Sequence, residues 1–239
     1  MIFSAHWFIQ KEGSGIMSTQ VKARYLLLAF VPYWAFYFLI QSYVTVSQYD
    51  LLTDIDQKIP FIPQFIWIYH SIIPVVALTA TLLFQDKSVF FGLIFSIVFA
   101  GAFMCLSYIL FPSFYPRELF VDSSTLSGWL IEVTRSIDGP HNTFPSGHVT
   151  YAWLLVFFVS LSQYTQKRLW MQSAYFLWAS LITISTLTLK QHYLMDVFSG
   201  IVLATATYFL ARRIFISKST KLITVNEQSL PRRSAPTVY

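Results

Sequence analysis

The chain has 239 residues, of which 55% are hydrophobic and 11% are charged, and its mean hydropathy is +0.56. A soluble domain carries about 25% charged residues, so this composition excludes a soluble globular protein and predicts an integral protein of the lipid bilayer. The formal net charge is +5, but the basic residues lie in short loops and terminal segments, where they report membrane topology, so we expect no nucleic-acid partner.

Six apolar runs follow one another along the chain, each with its flanks close to the roughly 20 residues that a bilayer demands. They lie near residues 25–46, 64–84, 88–111, 149–163, 169–189 and 193–215. The predicted fold is therefore all-α, a polytopic bundle of six transmembrane helices over residues 24–215. Residues 1–23 are mixed in polarity and predict a cytoplasmic N-terminal segment, in which Met17 is a second candidate start beside Met1. Residues 216–239 are polar, which is typical of a disordered cytoplasmic tail.

The basic residues are unevenly shared between the two sides of such a bundle. Of the 16 Lys and Arg residues, 12 lie in the terminal segments and the even-numbered loops, and the odd-numbered loops hold the other four: Lys58, Arg117, Arg135 and Lys190. The positive-inside rule then predicts that both termini are cytoplasmic and that the odd-numbered loops are extracytoplasmic. Because the chain is compact and lacks long extracytoplasmic extensions, we expect the bacterial inner membrane.

The longest polar segment between apolar runs, residues 112–147, ends where Pro145-Ser146-Gly147-His148 opens the fourth run. Proline suits the first turn of a helix, and the N–H groups and partial positive charge at a helix N-terminus bind anions. His148 adds a side chain that exchanges a proton near neutral pH. The stretch predicts a phosphate site with a proton donor. The alternative is an ordinary helix start with a histidine at the membrane interface.

His192 and Asp196 are four residues apart at the start of the sixth run, so on a helix they share a face. The carboxylate can accept the Nδ1 proton and orient the ring as a nucleophile. A His–Asp pair that only caps the helix is the alternative, but an ionisable residue one turn into a span is costly and usually functional. Spans four and five form a helical hairpin between His148 and His192, so both rings are expected at the same depth on the extracytoplasmic side.

A transferring phosphoryl group also needs cations around its oxygens. Arg117 and Lys190 are the candidates on the same side, whereas Arg135 and Lys58 are interpreted as solvated loop charges. His70 in the second run is interpreted as a residue that makes a hydrogen bond between helices. The histidines have no metal-ligand spacing such as His-Glu-x-x-His, so neither a metal nor another cofactor is expected.

These motifs resemble those of the type 2 phosphatidic acid phosphatase superfamily, which also includes vanadium haloperoxidases and sphingolipid synthases. Pro145–His148 matches the second motif of that superfamily in full. Ser185, His192 and Asp196 match the third motif, with Thr186 where arginine is expected. The first motif consists of a lysine, six intervening residues and Arg-Pro. It is represented here only by Tyr115-Pro116-Arg117. Segments 59–63, 138–142 and 188–193 resemble a divergent branch that contains inositol phosphorylceramide synthase-like proteins.

The resemblance covers roughly residues 50–212 and implies a six-helix membrane enzyme. It implies that His192 attacks phosphorus to form a phosphohistidine, that Asp196 orients it, and that His148 acts first as acid and then as base. The phosphate oxygens would be held by Ser146, Gly147 and Arg117, and Lys190 would supply the charge that Thr186 lacks. We expect a lipid-phosphate phosphatase that works on a lipid phosphate at the extracytoplasmic face. The alternatives are a phosphotransferase with an alcohol acceptor such as inositol or a lipid hydroxyl, and an inactive member that binds or transports lipid.

Overall fold

The computed structural model describes residues 17–44, 49–117 and 120–216. These ranges are all-α: they contain two isolated bridges and no β-strand. The helices in these ranges are α1 (Thr19–Tyr43), α2 (Asp54–Lys58), α3 (Pro63–Leu83), α4 (Lys87–Leu110), α5 (Leu126–Ile137), α6 (Gly147–Val159), α7 (Leu169–Thr188) and α8 (Leu194–Ile216). Helix α3 starts with a 3-10 turn, and α3 and α8 both end in a π-helical turn.

Four of the described helices, α1, α3, α4 and α8, are long and apolar enough to cross a bilayer. Helix α6 is apolar but has only 13 residues, roughly 20 Å at 1.5 Å per residue, against a hydrocarbon core of about 30 Å. Helix α7 has 20 residues, among them several serines and threonines. The all-α prediction is confirmed, and among the described residues four candidate spans are found where six were predicted.

The described helices follow the predicted apolar runs closely at α3, α4, α7 and α8. Helix α1 begins earlier than predicted, after Ser18, whose hydroxyl accepts the N–H of Val21 at 3.3 Å. Helices α2 and α5 lie in segments predicted as loops, and each is capped by a threonine hydroxyl at its first turn. Most of the predicted N-terminal segment, residues 1–16, and the predicted tail from residue 217 lie outside the described residues.

The outer surface of the bundle is apolar. Leu28, Leu110 and Phe198 expose 70%, 67% and 65% of their surface, whereas Phe90 and Phe158 inside the bundle are fully buried. A large apolar exterior is what hydrocarbon surroundings require, because lipid tails cover it at no cost. The packing therefore agrees with a membrane protein.

The loops that follow α1, α4 and α7 meet at one end of the bundle, which we call the site end. Asp56 Oδ1 accepts the N–H of Leu194 at 2.8 Å, which joins α2 to the start of α8. Arg117 Nη2 donates to Gln191 Oε1 at 2.8 Å, which joins the segment after α4 to the α7–α8 turn. The candidate residues of the odd-numbered loops are therefore brought together.

The other end of the bundle, which we call the far end, is closed by a different set of contacts. Lys22 Nζ of α1 donates to the backbone oxygen of Thr81 in the last turn of α3, at 3.1 Å. The N–H of Gln163 donates to Asp86 Oδ2 at 2.9 Å, which joins the α6–α7 turn to the turn before α4. The start of α1 and the even-numbered loops thus lie opposite the site end.

The first turn of α6 lies very close to α8. The N–H of Ser146 donates to the backbone oxygen of Asp196 at 3.1 Å, and Thr150 Oγ1 donates to that of Gly200 at 3.2 Å. A Cβ on Gly200 would lie 2.9 Å from the Ser146 oxygen, so this approach requires glycine. The contact fixes His148, two residues after Ser146, relative to Asp196.

Candidate active site

His192 lies in the turn between α7 and α8, and its N–H donates to the backbone oxygen of Thr186 at 3.2 Å. Its Nδ1 is 3.3 Å from Asp196 Oδ2, and the same oxygen accepts the N–H of Tyr193 at 2.9 Å. Because a carboxylate only accepts hydrogen bonds, Nδ1 carries the proton and Nε2 keeps its lone pair. The predicted His–Asp pair is formed, and Nε2 is the nitrogen that can bond to a ligand.

His148 is the second residue of α6, a helix capped by Ser146 Oγ, which accepts the N–H of Val149 at 3.5 Å. The His148 ring stacks on Tyr69 of α3, with ring centroids 3.9 Å apart and planes 23° apart. Its centroid is 6.5 Å from the centroid of His192. The structure brings the two histidines together, as their spacing predicted.

Both rings border one cavity of about 890 Å³. At the site end its wall also contains Arg117, Gly147 and Gln191, so three loops contribute to one polar pocket. Gly147 opens α6, where the N–H groups of the first turn have no partner within the helix and favour an anion. From this pocket the cavity continues between α1 and α3 toward the far end.

Arg117 brings a guanidinium to this wall. Its Nη2 donates to Gly139 O and Gln191 Oε1, both at 2.8 Å, and its Nη1 donates to the backbone oxygen of Asp138. These contacts fix the guanidinium plane. Its Nε–H is buried and has no hydrogen-bond partner among the described residues. The structure thus places Arg117 beside the cavity, as expected of a phosphate-binding residue.

Lys190, the second predicted cation, is not among the residues that border the cavity. Its Nζ donates to the backbone oxygen of Asp56 at 2.6 Å, and its backbone is left-handed, with φ of 55°. Burial lowers the pKa of the Lys190 ammonium, and the charge of Asp56 raises it. Lys190 therefore ties the α7–α8 turn to α2, and its contact with phosphate stays a prediction. Ser146 is likewise outside the cavity wall, since it is fully buried under the first turn of α6.

Asp138, which follows α5, adds a carboxyl group to the cavity wall that was not predicted as a site residue. Its Oδ1 accepts the hydroxyl of Tyr37 from α1. Burial raises the pKa of the Asp138 carboxyl, while the Tyr37 hydrogen bond and the Arg117 charge lower it. Tyr37, Tyr69 and Gln191 also border the site and were missed. A tyrosine in an apolar run carries no spacing signal. The available signals were the segments 138–142 and 188–193, which hold Asp138 and Gln191 but assigned no role to either.

Lys58 is exposed, as the sequence suggested. Arg135 was interpreted as a solvated loop charge, and this is wrong: it lies in α5, its Nε and Nη2 are buried, and its guanidinium carbon lies 5.8 Å from the ring centroid of Phe61, outside the cavity wall. His70 Nε2 is 2.8 Å from Thr134 Oγ1, which is the predicted hydrogen bond between helices, although its ring also borders the cavity. Within the described ranges, no group of three or more His, Cys, Asp or Glu residues is placed to hold a metal ion.

Asp56 fixes the start of α8, and we expect Asp56→Asn to lower the stability of the protein. Its Oδ1 accepts the N–H of Leu194, and its Oδ2 accepts the N–H of Thr53 at 2.9 Å. An amide would turn a donor toward one of these N–H groups, which costs about 1–3 kcal/mol for a buried group left unsatisfied. The readout is the Tm in detergent. The matched control is Asp54→Asn, an exposed residue of the same turn, and an equal drop in both variants would contradict this role.

A family model described as the PAP2 superfamily matches residues 52–210, more than half of the chain. The match runs from the segment before α2 almost to the end of α8, and it includes His148, His192, Asp196 and Arg117. The comparison with curated proteins gave no match.

Proposed function

The chain belongs to the PAP2 superfamily, and from this premise we propose that it is a lipid-phosphate phosphatase that works through a phosphohistidine on His192. Membership of this superfamily and the apolar helices indicate a phosphatase-type function in a membrane protein. One observation carries the finer proposal: the rings of His148 and His192, with centroids 6.5 Å apart, border the same cavity as Arg117.

In the first step His192 Nε2 attacks phosphorus, so a P–N bond forms while the P–O bond to the lipid alcohol breaks. His148, protonated at the start, gives its proton to the leaving oxygen. Asp196 accepts the hydrogen bond from Nδ1 and balances the positive charge that develops on the attacking ring. In this proposal Arg117 and the first N–H groups of α6 stabilise the charge that develops on the phosphoryl oxygens.

In the second step His148, now neutral, removes a proton from a water molecule as the water attacks phosphorus. The P–N bond breaks, inorganic phosphate leaves, and His148 is again protonated. The balance is one phosphate monoester and one water in, one alcohol and one phosphate out. Both steps use the same two rings, which explains why they need to face one cavity.

For the membrane arrangement we propose six spans, α1, α3, α4, α6, α7 and α8, with the site end extracytoplasmic. Helix α6 is short, and the turns on either side would complete its crossing. The loops at the site end carry only four of the 16 Lys and Arg residues: Lys58, Arg117, Arg135 and Lys190. The positive-inside rule supports this orientation. Labelling of single cysteines from either side of intact cells tests it.

Transfer to an alcohol in place of water is a second candidate function. The observation in its favour is that the segment before α6 borders the cavity with polar residues, namely Asp138, His141 and Asn142. Hydroxyl groups of an acceptor would find hydrogen-bond partners there. The chemistry differs only in the second step, where the alcohol gives its proton to His148 and takes the phosphoryl-bearing group.

The test is turnover by the purified protein in detergent with phosphatidic acid and other lipid phosphates, with and without inositol. Phosphatase function predicts release of free phosphate that orthovanadate inhibits and inositol leaves unchanged. Transfer predicts a new phosphate ester that appears only with the acceptor. If neither product forms, the proposal fails and an inactive lipid-binding member is supported instead.

A further inference from the structure

The cavity that holds the two histidines is far longer than a phosphate needs. The α1 residues that border it, from Thr19 to Phe38, lie on one face of that helix. Helix α3 forms the opposite wall, from Tyr69 to Thr81. We call this part the α1–α3 groove, and its apolar side chains include Leu26, Leu27, Val31, Trp34, Ile73 and Leu78.

The α1–α3 groove opens sideways. Leu27 and Val31 on α1 expose 61% and 59% of their surface, and Ile73 and Leu78 on α3 expose 55% and 58%, although all four border the cavity. Side chains that border a cavity and are also exposed mark its mouth. In a bilayer this mouth faces hydrocarbon, so the groove joins the site to the lipid phase.

The mouth of the groove is tied at both ends. At the far end the buried Lys22 donates to the backbone oxygen of Thr81 at 3.1 Å, where α1 packs on the last turn of α3. At the site end Gln41 donates to the backbone oxygen of Ile137 at 3.2 Å and accepts the N–H of Gly139 at 3.1 Å. These contacts join α1 to the end of α5, which packs on the start of α3. The opening between these ties is therefore a bounded window.

The length of the groove distinguishes between kinds of lipid. Tyr37, which is hydrogen-bonded to Asp138 at the site end, lies 18 residues after Thr19 at the far end. This is roughly 27 Å of helix at 1.5 Å per residue. The whole hydrocarbon core of a bilayer is about 30 Å thick, so the groove is longer than one leaflet.

We propose that the α1–α3 groove binds the hydrocarbon chain of a phosphate-bearing lipid, which enters sideways from the bilayer and extends past its midplane. This inference rests on the proposed function, since it places the phosphate between His148 and His192. A lipid with one long chain fills the groove, whereas chains that end at the midplane leave its far half empty. The class of substrate is thus a long-chain lipid monophosphate.

Leu27→Trp is the kinetic test, because it fills the groove halfway along α1. Leu28→Trp is its matched control, since Leu28 is 70% exposed and is not among the cavity residues. The probes are undecaprenyl phosphate and geranyl phosphate, a long-chain and a short-chain isoprenoid monophosphate. We expect Leu27→Trp to lower kcat/KM for the long probe about tenfold and to leave the short probe within about twofold, as steric discrimination in an apolar pocket permits. Equal losses of kcat/KM for both probes, or the same loss in Leu28→Trp, would contradict binding of the lipid chain in the α1–α3 groove.

A binding measurement keeps the test independent of turnover. In a Cys105→Ser, His192→Ala background, Leu27→Cys and Leu28→Cys are labelled with a membrane-permeant maleimide. Undecaprenyl phosphate is expected to slow labelling at position 27 several-fold and geranyl phosphate to have no effect there, with position 28 unchanged. Protection at position 27 without any phosphate release by the wild type would contradict only the proposed phosphatase function. Phosphate release that depends on His192, with no protection at position 27, would contradict only the binding of the lipid chain in the α1–α3 groove.

Discussion

His192→Ala is expected to abolish a phosphoenzyme and to lower kcat by about 10⁶-fold, the size of loss seen when a covalent nucleophile is removed. The reason is geometric, because Nδ1 is held 3.3 Å from Asp196 Oδ2 and Nε2 is left to form the P–N bond. The measurement is rapid quenching of the wild type and the variant with radiolabelled phosphatidic acid. The label on the wild type is expected to be lost in acid and kept in alkali, as phosphohistidine is.

His148→Ala tests the general acid separately from the nucleophile, and His6→Ala is the control for both histidine variants. His6→Ala, outside the described residues, serves as the histidine control and is expected to keep wild-type turnover. His148→Ala is expected to lose turnover of an alkyl phosphate by about 10²–10⁴-fold, the usual range for a general acid. It is expected to keep its phosphorylation burst with p-nitrophenyl phosphate, whose leaving group needs no proton. Label that persists in His192→Ala would contradict the covalent step.

The paired residues of the site were predictable because helix geometry and bilayer thickness fix them. His192 and Asp196 are four residues apart, and their contact forms across the start of α8, although His192 itself precedes the helix. His148 and His192 face each other because a hairpin of two helices returns the chain to the same end. Arg117 was predicted from its place in the long loop, and it does border the cavity.

Other parts of the site depend on packing that no local pattern encodes. Tyr37 and Asp138 are 101 residues apart in sequence, and they meet because α5, read from the sequence as loop, carries Asp138 at its end. Lys190 is two residues from His192, yet its side chain goes to Asp56, because its left-handed backbone and the position of the buried Asp56 decide its direction. Burial of a capping carboxylate such as Asp56 cannot be read from residue spacing.

The second large effect is expected at Arg117, and Lys190 is the cation with which it is compared. Arg117→Ala is expected to lower kcat/KM by about 10²–10³-fold, the usual cost of removing one preorganised donor to a developing anion. Orthovanadate binding should weaken in parallel, because vanadate takes the geometry of the phosphoryl group in transfer. Lys190→Ala is expected to lower the Tm while changing kcat/KM much less, since its Nζ contacts Asp56 and does not border the cavity. The readouts are steady-state kinetics and vanadate inhibition of each variant.

Arg117 also holds the backbone oxygens of Asp138 and Gly139, so loss of activity alone does not separate charge from loop structure. Arg117→Lys keeps the charge but not the planar fork, and we expect it to remain about tenfold below the wild type. Added guanidinium should restore part of the activity of Arg117→Ala if the missing group acts on the phosphate. If instead Lys190→Ala shows the larger loss in kcat/KM and in vanadate binding, the positive charge that stabilises the phosphate comes from Lys190 on the α7–α8 turn. The side chain of Lys190 would then have to leave Asp56 when the phosphate binds.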